Sequence, residues 1–191
     1  MARCCPLILE IVTVGEIPKD FIQKLAWEIK IAYSSVIEEC LIGPDIGMPP
    51  AAYNKSRRQY DADMMLDRVL YRITDDSKVL VVLDVDLYTP SHDLNFIFGQ
   101  AQLGGKVALV SLHRLNPKFY RKKEDDRLFL QRVIKEAVHE VGHALGLGHC
   151  TNTACVMCFS NNISDVDKKG PALCGICQGK LQRVLTIRDS R

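Results

Sequence analysis

The order of hydrophobic and polar positions in the first part of the chain predicts one strand followed by one helix. Residues 6–14 form an apolar run rich in β-branched side chains, which is typical of a buried strand, and Gly15 ends it. From Pro18 onward, apolar side chains recur at about every fourth position, which predicts a helix that continues toward Cys40. The Gly- and Pro-rich residues 43–50 predict a loop or an irregular sheet edge.

The middle of the chain continues this alternation of strands and helices. Residues 61–71 have helical spacing and residues 78–83 form a second buried apolar run, so the order of elements favours an α/β sheet with parallel pairing. Residues 94–102 alternate in a strand-like way, and a Gly-Gly turn leads into a further strand over 106–112. Such a short connection makes these two strands antiparallel neighbours. The expected fold class is therefore α/β with a mixed, twisted sheet.

A longer helix is predicted in the last third of the chain. The acidic residues 124–126 suit a first helical turn, where the helix dipole favours negative charge, so we expect the helix to begin near Lys123. One broad apolar stripe predicts the side that faces the core. The stripe consists of Leu130, Val133, Ile134, Ala137, Val138, Val141 and Leu145.

Two histidines, His139 and His143, lie one helical turn apart on the side opposite this stripe. Their neighbours Arg132 and Glu136 are also polar, so we expect this face to form the floor of a cleft open to solvent. Imidazoles at this spacing can share one metal ion, and Glu140 between them can take a proton from a metal-bound water. A buried helix whose histidines are satisfied within the core is the structural alternative.

Gly146 and His149 complete the predicted metal site. A glycine three residues past His143 can adopt a positive φ and end the helix, so the chain turns and returns His149 as a third nitrogen ligand. Three protein ligands leave a fourth position open for water, which is the catalytic rather than the structural arrangement of zinc. The sequence thus predicts a catalytic zinc, with Glu140 as the general base. Its three ligands are His139, His143 and His149.

Four cysteines follow directly as two short-spaced pairs. The first pair is Cys150 and Cys155, and the second is Cys174 and Cys177. This spacing suits a structural zinc site with four thiolate ligands, and two disulfides are the alternative. Disulfides are disfavoured because the chain opens without a signal peptide, so a reducing, cytoplasmic compartment is expected. The remaining cysteines are interpreted as small unpaired thiols: Cys4, Cys5, Cys40 and Cys158.

The motif H-E-x-x-H-x-x-G-x-x-H followed by a methionine resembles that of the metzincin clan of zinc peptidases. The cysteine spacing behind it resembles the archaemetzincin family in particular. The residues that carry this likeness are His139, Glu140, His143, Gly146, His149, Cys150, Cys155, Met157, Cys174 and Cys177. Residues 56–60 and 95–99 also resemble that family, so the likeness spans roughly residues 54–177.

The resemblance implies a metzincin-like single domain over residues 1–191 with metalloprotease-like chemistry. An active-site helix would lie in an upper lobe of about residues 1–146, above a small zinc-bound lower lobe of about residues 147–191. The antiparallel edge strand would form the upper rim of the cleft and pair with an extended substrate through its backbone. One closing helix or strand is expected after Cys177.

The resemblance gives Met157 a specific role and shows a departure from other metzincins at Phe159. On its own Met157 would be interpreted as a core residue, whereas the family places a methionine in a tight turn beneath the three histidines. Some metzincins have a tyrosine two residues later whose hydroxyl reaches the zinc or the oxyanion. This chain has Phe159 there, and no replacement for the hydroxyl is evident from the sequence.

Composition narrows the choice of partners. The chain has 191 residues, a net charge of +2 and no extended basic patch, so nucleic acid and anionic membranes are not suggested. No apolar run approaches ~20 residues, the length that a membrane-spanning helix needs. We expect a monomeric zinc peptidase that binds two zinc ions, one catalytic and one structural, and acts on a peptide or protein.

Two other functional classes stay open at this point. A zinc-binding protein could keep the peptidase fold and recognise peptides with little or no turnover, which the missing tyrosine allows. A zinc-stabilised nucleic-acid module would need a basic face that a net charge of +2 does not supply. Arg57 and Arg58 are either solvated or ion-paired surface residues or a polar wall of the cleft, and the sequence does not decide between these interpretations.

Overall fold

A computed structural model of the protein describes residues 7–73, 77–91 and 94–189, and the side chains as far as residue 183. The predicted strand start at Pro6 and the thiols of Cys4 and Cys5 lie outside these residues. The strands are β1 Leu7–Val14, β2 Ile37–Asp45, β3 Tyr53–Asn54, β4 Gln59–Asp61, β5 Lys78–Leu83, β6 Leu87–Tyr88, β7 Gly99–Ala101 and β8 Val107–Ser111. The helices are α1 Lys19–Ala32, α2 Ala62–Leu70, α3 Asp126–Ala144, α4 Ile163–Lys168 and α5 Gly175–Asp189.

The main sheet has five strands in the order β2-β1-β5-β8-β7. The first four run parallel, and β7 at the edge is antiparallel to β8. This arrangement follows from the connections, because parallel neighbours need long crossovers whereas the short turn between β7 and β8 permits only antiparallel pairing. The α/β class with a mixed sheet is confirmed. A second, small sheet has the order β3-β4-β6.

Helices cover both faces of the main sheet. Leu80 and Val82 of β5 belong to a core shared with α1 and α3, whereas Val79 and Val81 belong to a core shared with α2. Successive side chains of a strand point to opposite faces, so residues 79–83 of β5 must all be apolar to serve both cores. This explains the continuous apolar run that predicts it.

The first helix is shorter than its hydrophobic pattern predicts. It ends at Ala32, and a helix continuing toward Cys40 is wrong, because Cys40 lies in β2. Ile37 pairs with Leu7 of β1, so pairing within the sheet outweighs the helical period of the apolar residues. The predicted loop or irregular edge over 43–50 begins within β2, which continues to Asp45 at the edge of the sheet and has an irregular register between Ile42 and Asp45.

Only the second half of the predicted strand over 94–102 is a strand. Residues 99–101 form β7, whereas in residues 94–98 a single bridge joins Ile97 to Leu87. Phe98 is buried, and its ring contacts that of Phe96 edge to face at 5.2 Å. Packing of the two rings thus replaces a regular ladder in this segment.

The helix α3 begins at Asp126 because Asp125 caps it, accepting a hydrogen bond from the Leu128 N–H at 2.8 Å. The prediction that its polar side faces solvent is wrong for Arg132 and Glu136, which are 1% and 3% exposed. The short helix α4 covers this side.

Val166 of α4 is buried in the core shared with α3, and polar contacts add to this packing. The Arg132 guanidinium donates two hydrogen bonds of 2.7 Å to the Asp167 carboxylate, and the Lys135 ammonium donates to the Val166 carbonyl at 3.0 Å. Arg132 and Lys135, which lie opposite the apolar stripe, therefore hold α4 against α3 instead of being surrounded by water.

The predicted closing element is the helix α5, in which Leu181 is buried in the core shared with α1 and α3. In the described part of the chain, no helix combines the length and the apolarity needed to cross a bilayer.

Candidate metal centre

Three histidine side chains converge where α3 ends. His139 and His143 lie on the last turns of the helix, and Gly146 adopts a φ of +95°. The Gly146 N–H donates to the His143 carbonyl and the Leu147 N–H donates to the Gly142 carbonyl, both at 2.9 Å. This is the Schellman pattern of helix termination, which needs a left-handed residue and therefore favours glycine. The chain reverses there and returns His149 to the helix.

The three imidazoles are close enough to share one ion. One ring nitrogen from each of His139, His143 and His149 lies within 4.8 Å of the others, and the Nε2 atoms of His139 and His143 are 3.0 Å apart. Two ligands of a tetrahedral zinc ion at 2.0–2.1 Å would be separated by about 3.3 Å. The donor set thus fits zinc without rearrangement of the backbone.

Backbone carbonyls orient two of the rings. His139 Nδ1 lies 2.8 Å from the Val156 carbonyl oxygen, and His143 Nδ1 lies 2.7 Å from that of Leu147. A carbonyl oxygen can only accept, so both Nδ1 atoms carry the hydrogen and both Nε2 lone pairs are left for a metal ion.

The protein also keeps these rings neutral. Burial lowers the pKa of His139 to about 2, with the nearby Lys169 ammonium as the next cause. Burial likewise lowers the pKa of His143 and of the more exposed His149. Neutral imidazole is the form that binds a metal ion, so the site does not have to release protons at neutral pH.

Glu140 lies in the same cleft, packed beneath the edge strand β7. A Cβ atom added to Gly99 would come within 2.6 Å of Glu140 Cγ and 2.8 Å of its Oε1. Burial raises the pKa of Glu140 well above its usual range, and the carboxylate of Glu136 raises it further. Gly99 therefore supplies the space that the carboxylate occupies, a role that the sequence pattern does not reveal.

Met157 is fully buried against α3, beside Gly142. A Cβ atom on Gly142 would overlap Met157 Sδ and the hydroxyl oxygen of Tyr33. That hydroxyl donates to the Val138 carbonyl at 2.7 Å. The glycine on the helix thus lets the thioether approach the helix backbone, and the role of Met157 as a floor beneath the three histidines stays a prediction.

The four cysteines form a second cluster. The Sγ atoms of Cys150 and Cys174 are 3.8 Å apart, as are those of Cys155 and Cys177, and all four lie within 4.8 Å of one another. Two thiolates on one tetrahedral zinc, at Zn–S distances of 2.3 Å, would be about 3.8 Å apart.

Burial raises the pKa of the Cys155 and Cys177 thiols, whereas Cys174 differs from them. A backbone hydrogen bond from Cys177 lowers the pKa of the Cys174 thiol to about 7, so a thiolate is available there near neutral pH. Every cysteine in the described residues is a free thiol rather than half of a disulfide.

The upper and lower walls of the cleft around the histidines are lined by different residues. Leu94, Phe96 and Phe98 contribute to the upper wall, whereas Phe159 and Ser160 contribute to the lower one. The Phe159 ring meets that of His149 edge to face at 5.1 Å and is about half exposed. At this position the chain therefore offers a ring edge and no hydroxyl.

Sequence reasoning missed Lys169. Its side chain is 1% exposed, and its ammonium lies 2.8 Å from Glu136 Oε1 and 3.3 Å from the Cys158 carbonyl oxygen. It also lies 3.5 Å from His139 Nδ1, so it is a buried cation immediately behind the histidine cluster. Its place in the sequence, between α4 and the second cysteine pair, gives no sign of this contact.

Three neutral imidazoles and a buried glutamate in a cleft, under the edge strand of an α/β sheet, are the arrangement of a zinc metallopeptidase. The profile of peptidase family M54 matches residues 10–183. The chain is 43% identical to an archaemetzincin from Methanocaldococcus jannaschii over 88% of this chain and 89% of that protein. It is also 43% identical to an archaemetzincin from Pyrococcus furiosus, over 92% of each chain.

Solved structures agree with these matches. The crystal structure of archaemetzincin from Methanopyrus kandleri superposes with a TM-score of 0.82 at 36% identity, covering 97% of this chain and 98% of that one. A zinc-dependent peptidase from Methanocorpusculum labreanum gives a TM-score of 0.79 at 30% identity, covering 91% and 99%. This chain belongs to peptidase family M54, the archaemetzincins, and is a zinc metallopeptidase. The metzincin-like fold and the enzyme class predicted from the sequence are confirmed.

Proposed function

We propose that the protein hydrolyses peptide bonds at the histidine cluster, with Glu140 as general base. The proposal rests on one observation: a buried carboxylate and three neutral imidazoles line a single cleft. The proposed ligands of the catalytic zinc are His139, His143 and His149. When bound, zinc supplies a Lewis acid that polarises the scissile carbonyl and lowers the pKa of a coordinated water.

Glu140 would move the proton. Burial favours its protonated form, whereas a dication at the imidazoles favours the carboxylate, and these opposing effects suit a group that first accepts and later donates a proton. In the forward reaction Glu140 accepts the proton of the attacking water, and it then passes that proton to the leaving amine. Glu140 carries no ligand role in this scheme.

The substrate would lie along β7. This strand is at the edge of the sheet, so one side of its backbone is free to pair with an extended peptide above the histidines. Recognition through backbone groups does not depend on particular side chains, which suits a protein or peptide substrate of varied sequence.

The cysteine cluster would hold a second, structural zinc. We assign it to four thiolates, because Sγ distances of 3.8 Å suit a closed tetrahedral site with no position left for water. Its ligands would be Cys150, Cys155, Cys174 and Cys177. A monomeric state, a cytoplasmic location and a division into lobes near residue 146 remain predictions.

The test combines metal analysis with cleavage of a peptide library. We expect two zinc ions per chain in the wild type and in Glu140→Gln, because a base that is not a ligand can be replaced without loss of metal. Cleavage in Glu140→Gln should fall by about 10²-fold or more. Glu124→Gln is the matched control, since Glu124 is an exposed glutamate paired with Lys118 away from the cleft. Two zinc ions without cleavage of any library member would favour the peptide-binding alternative.

A further inference from the structure

The upper wall of the cleft contains an irregular segment, residues 94–98, which we name the rim segment. It is not a strand, although the Ile97 N–H donates to the Leu87 carbonyl at 3.1 Å and the Phe98 carbonyl accepts from the Ser111 N–H at 2.8 Å. Leu94 and Phe96 of this segment face the cleft, and Gly99 follows it directly above Glu140. Whatever holds the rim segment therefore sets the apolar wall of the cleft.

Two side chains hold the backbone of the rim segment at Asn95. Arg57 Nη2 and Gln59 Nε2 both donate to the Asn95 carbonyl, each at 3.0 Å. Gln59 is 4% exposed, and its other amide atom, Oε1, accepts from Arg57 Nε at 2.9 Å. The Arg57 guanidinium also lies over the Tyr88 ring, 4.7 Å from its centroid. Both side chains are thus fixed before they reach the rim segment.

A second pair holds the side chain of Phe96. Arg114 donates two hydrogen bonds of 2.7 Å to the Asp86 carboxylate, and its guanidinium lies 4.1 Å from the centroid of the Phe96 ring. Asp86 also accepts from Gln59 Nε2 at 3.2 Å, which joins the two pairs into one network. The fork geometry of Arg114 suits both the bidentate carboxylate contact and the stacking on an aromatic face.

We propose that Arg57, Gln59, Asp86 and Arg114 are positioning residues for the substrate, which we name the rim clamp. The inference rests on the proposed function above. The clamp holds Leu94 and Phe96 as a preformed apolar wall, so the substrate class is an extended peptide with an apolar side chain against that wall. A preformed wall spares the bound peptide the entropy cost of ordering the segment.

The clamp is more than a surface ion pair. The side chains of Arg114 and Asp86 are 22% and 12% exposed, so their contact is largely shielded from solvent. Both arginines are exposed, but they differ in their contacts: Arg57 makes the hydrogen bonds to Gln59 and Asn95, whereas Arg58 sits at the turn with a φ of +55° and takes no part in them. Of the two arginines that the sequence left undecided, Arg57 therefore serves the cleft from behind its wall.

The experiment compares Arg57→Lys and Asp86→Asn with the wild type, and uses Arg58→Lys as the matched control. Both lysine variants keep the charge, but only Arg57→Lys removes a guanidinium fork from the rim segment. We expect KM for the library peptide cleaved best by the wild type to rise about tenfold in the clamp variants, the size expected when a hydrogen bond to a charged group is lost. kcat should stay within about twofold, because the reacting groups are untouched.

Hydrogen exchange gives a readout that needs no substrate. The Ile97 amide should exchange about tenfold faster in both clamp variants at unchanged zinc content, and Arg58→Lys should match the wild type. Unchanged KM in Arg57→Lys, unchanged exchange at Ile97, or an equal effect in Arg58→Lys would overturn the clamp. A wild type that cleaves no peptide would count against the proposed function alone, and faster exchange at Ile97 would then still support the clamp.

Discussion

His139 Nδ1 donates to the carbonyl oxygen of Val156 at 2.8 Å, and Val156 is the residue that follows Cys155. The thiol cluster thus holds the carbonyl that orients a histidine of the other cluster. A second link is covalent, since His149 precedes Cys150, whose N–H donates to the Met157 carbonyl at 2.9 Å. The two candidate metal sites are therefore linked twice through the backbone. One link is the hydrogen bond from His139 to the Val156 carbonyl, and the other is the peptide bond between His149 and Cys150.

Removing one thiol should weaken zinc binding at the histidines. Cys174→Ala changes no atom that contacts an imidazole, but it opens the cluster that fixes residues 150–156. We expect the affinity of the histidine site for zinc, measured by competition with a chelator, to fall about 10- to 100-fold, as for other changes behind metal ligands. Cys40→Ala is the control, because Cys40 is a free thiol in β2. An unchanged affinity in Cys174→Ala would show that the two sites are independent.

Gly99→Ala should impair catalysis while both metals stay bound. The new Cβ would lie 2.6 Å from Glu140 Cγ and 2.6 Å from the Leu109 carbonyl oxygen, so either the side chain or the strand must shift. We expect kcat/KM to fall about 100-fold, since displacement of a catalytic group by 1 Å can have that effect. Gly179→Ala provides the comparison, because a Cβ there meets no atom within 4 Å. Full activity in Gly99→Ala would remove Gly99 from the positioning of Glu140.

The two clusters of candidate ligands were predictable because the geometry that forms each of them is largely local. His139 and His143 share a helix face, and the left-handed residue Gly146 returns His149 within three residues. The same holds for the cysteine pairs, whose short spacing brings two thiols to one point of the chain. Local spacing also predicted the turn between β7 and β8.

Residues that act across long distances in sequence were not predictable. Lys169 reaches Glu136 from the residue after α4, and Gly99 meets Glu140 from the sheet, so neither contact leaves a periodic pattern. The end of α1 was missed for a related reason: Ile37 continues the helical period but pairs with Leu7 instead. Pairing and docking between elements are decided by the whole fold rather than by the local pattern.

Lys169→Met should destabilise the protein strongly. The substitution leaves the Glu136 carboxylate, whose side chain is 4% exposed, without its ammonium partner at 2.8 Å. Breaking a buried ion pair on one side costs about 3–5 kcal/mol of unfolding free energy, so the melting temperature at saturating zinc should fall clearly.

The double variant Lys169→Met with Glu136→Gln separates this charge effect from lost packing. With no charge left unpaired, we expect it to regain more than half of the lost melting temperature, because the cost comes from the uncompensated carboxylate. A double variant no more stable than Lys169→Met would mean that the lysine stabilises the fold through its packing.

The ion pair between α3 and α4 should make stability depend on pH at the acidic end. Hydrogen bonds from Arg132 lower the pKa of Asp167 below its ordinary value of 3.8. Because the folded pKa is the lower one, the stabilisation is fully present above the unfolded pKa and is lost as the pH falls through the folded pKa. The difference in melting temperature between the wild type and Asp167→Asn should thus be constant from about pH 5 to 7 and shrink below about pH 4. Thermal unfolding of both proteins across this range measures it, and a difference that grows on acidification would contradict the assignment.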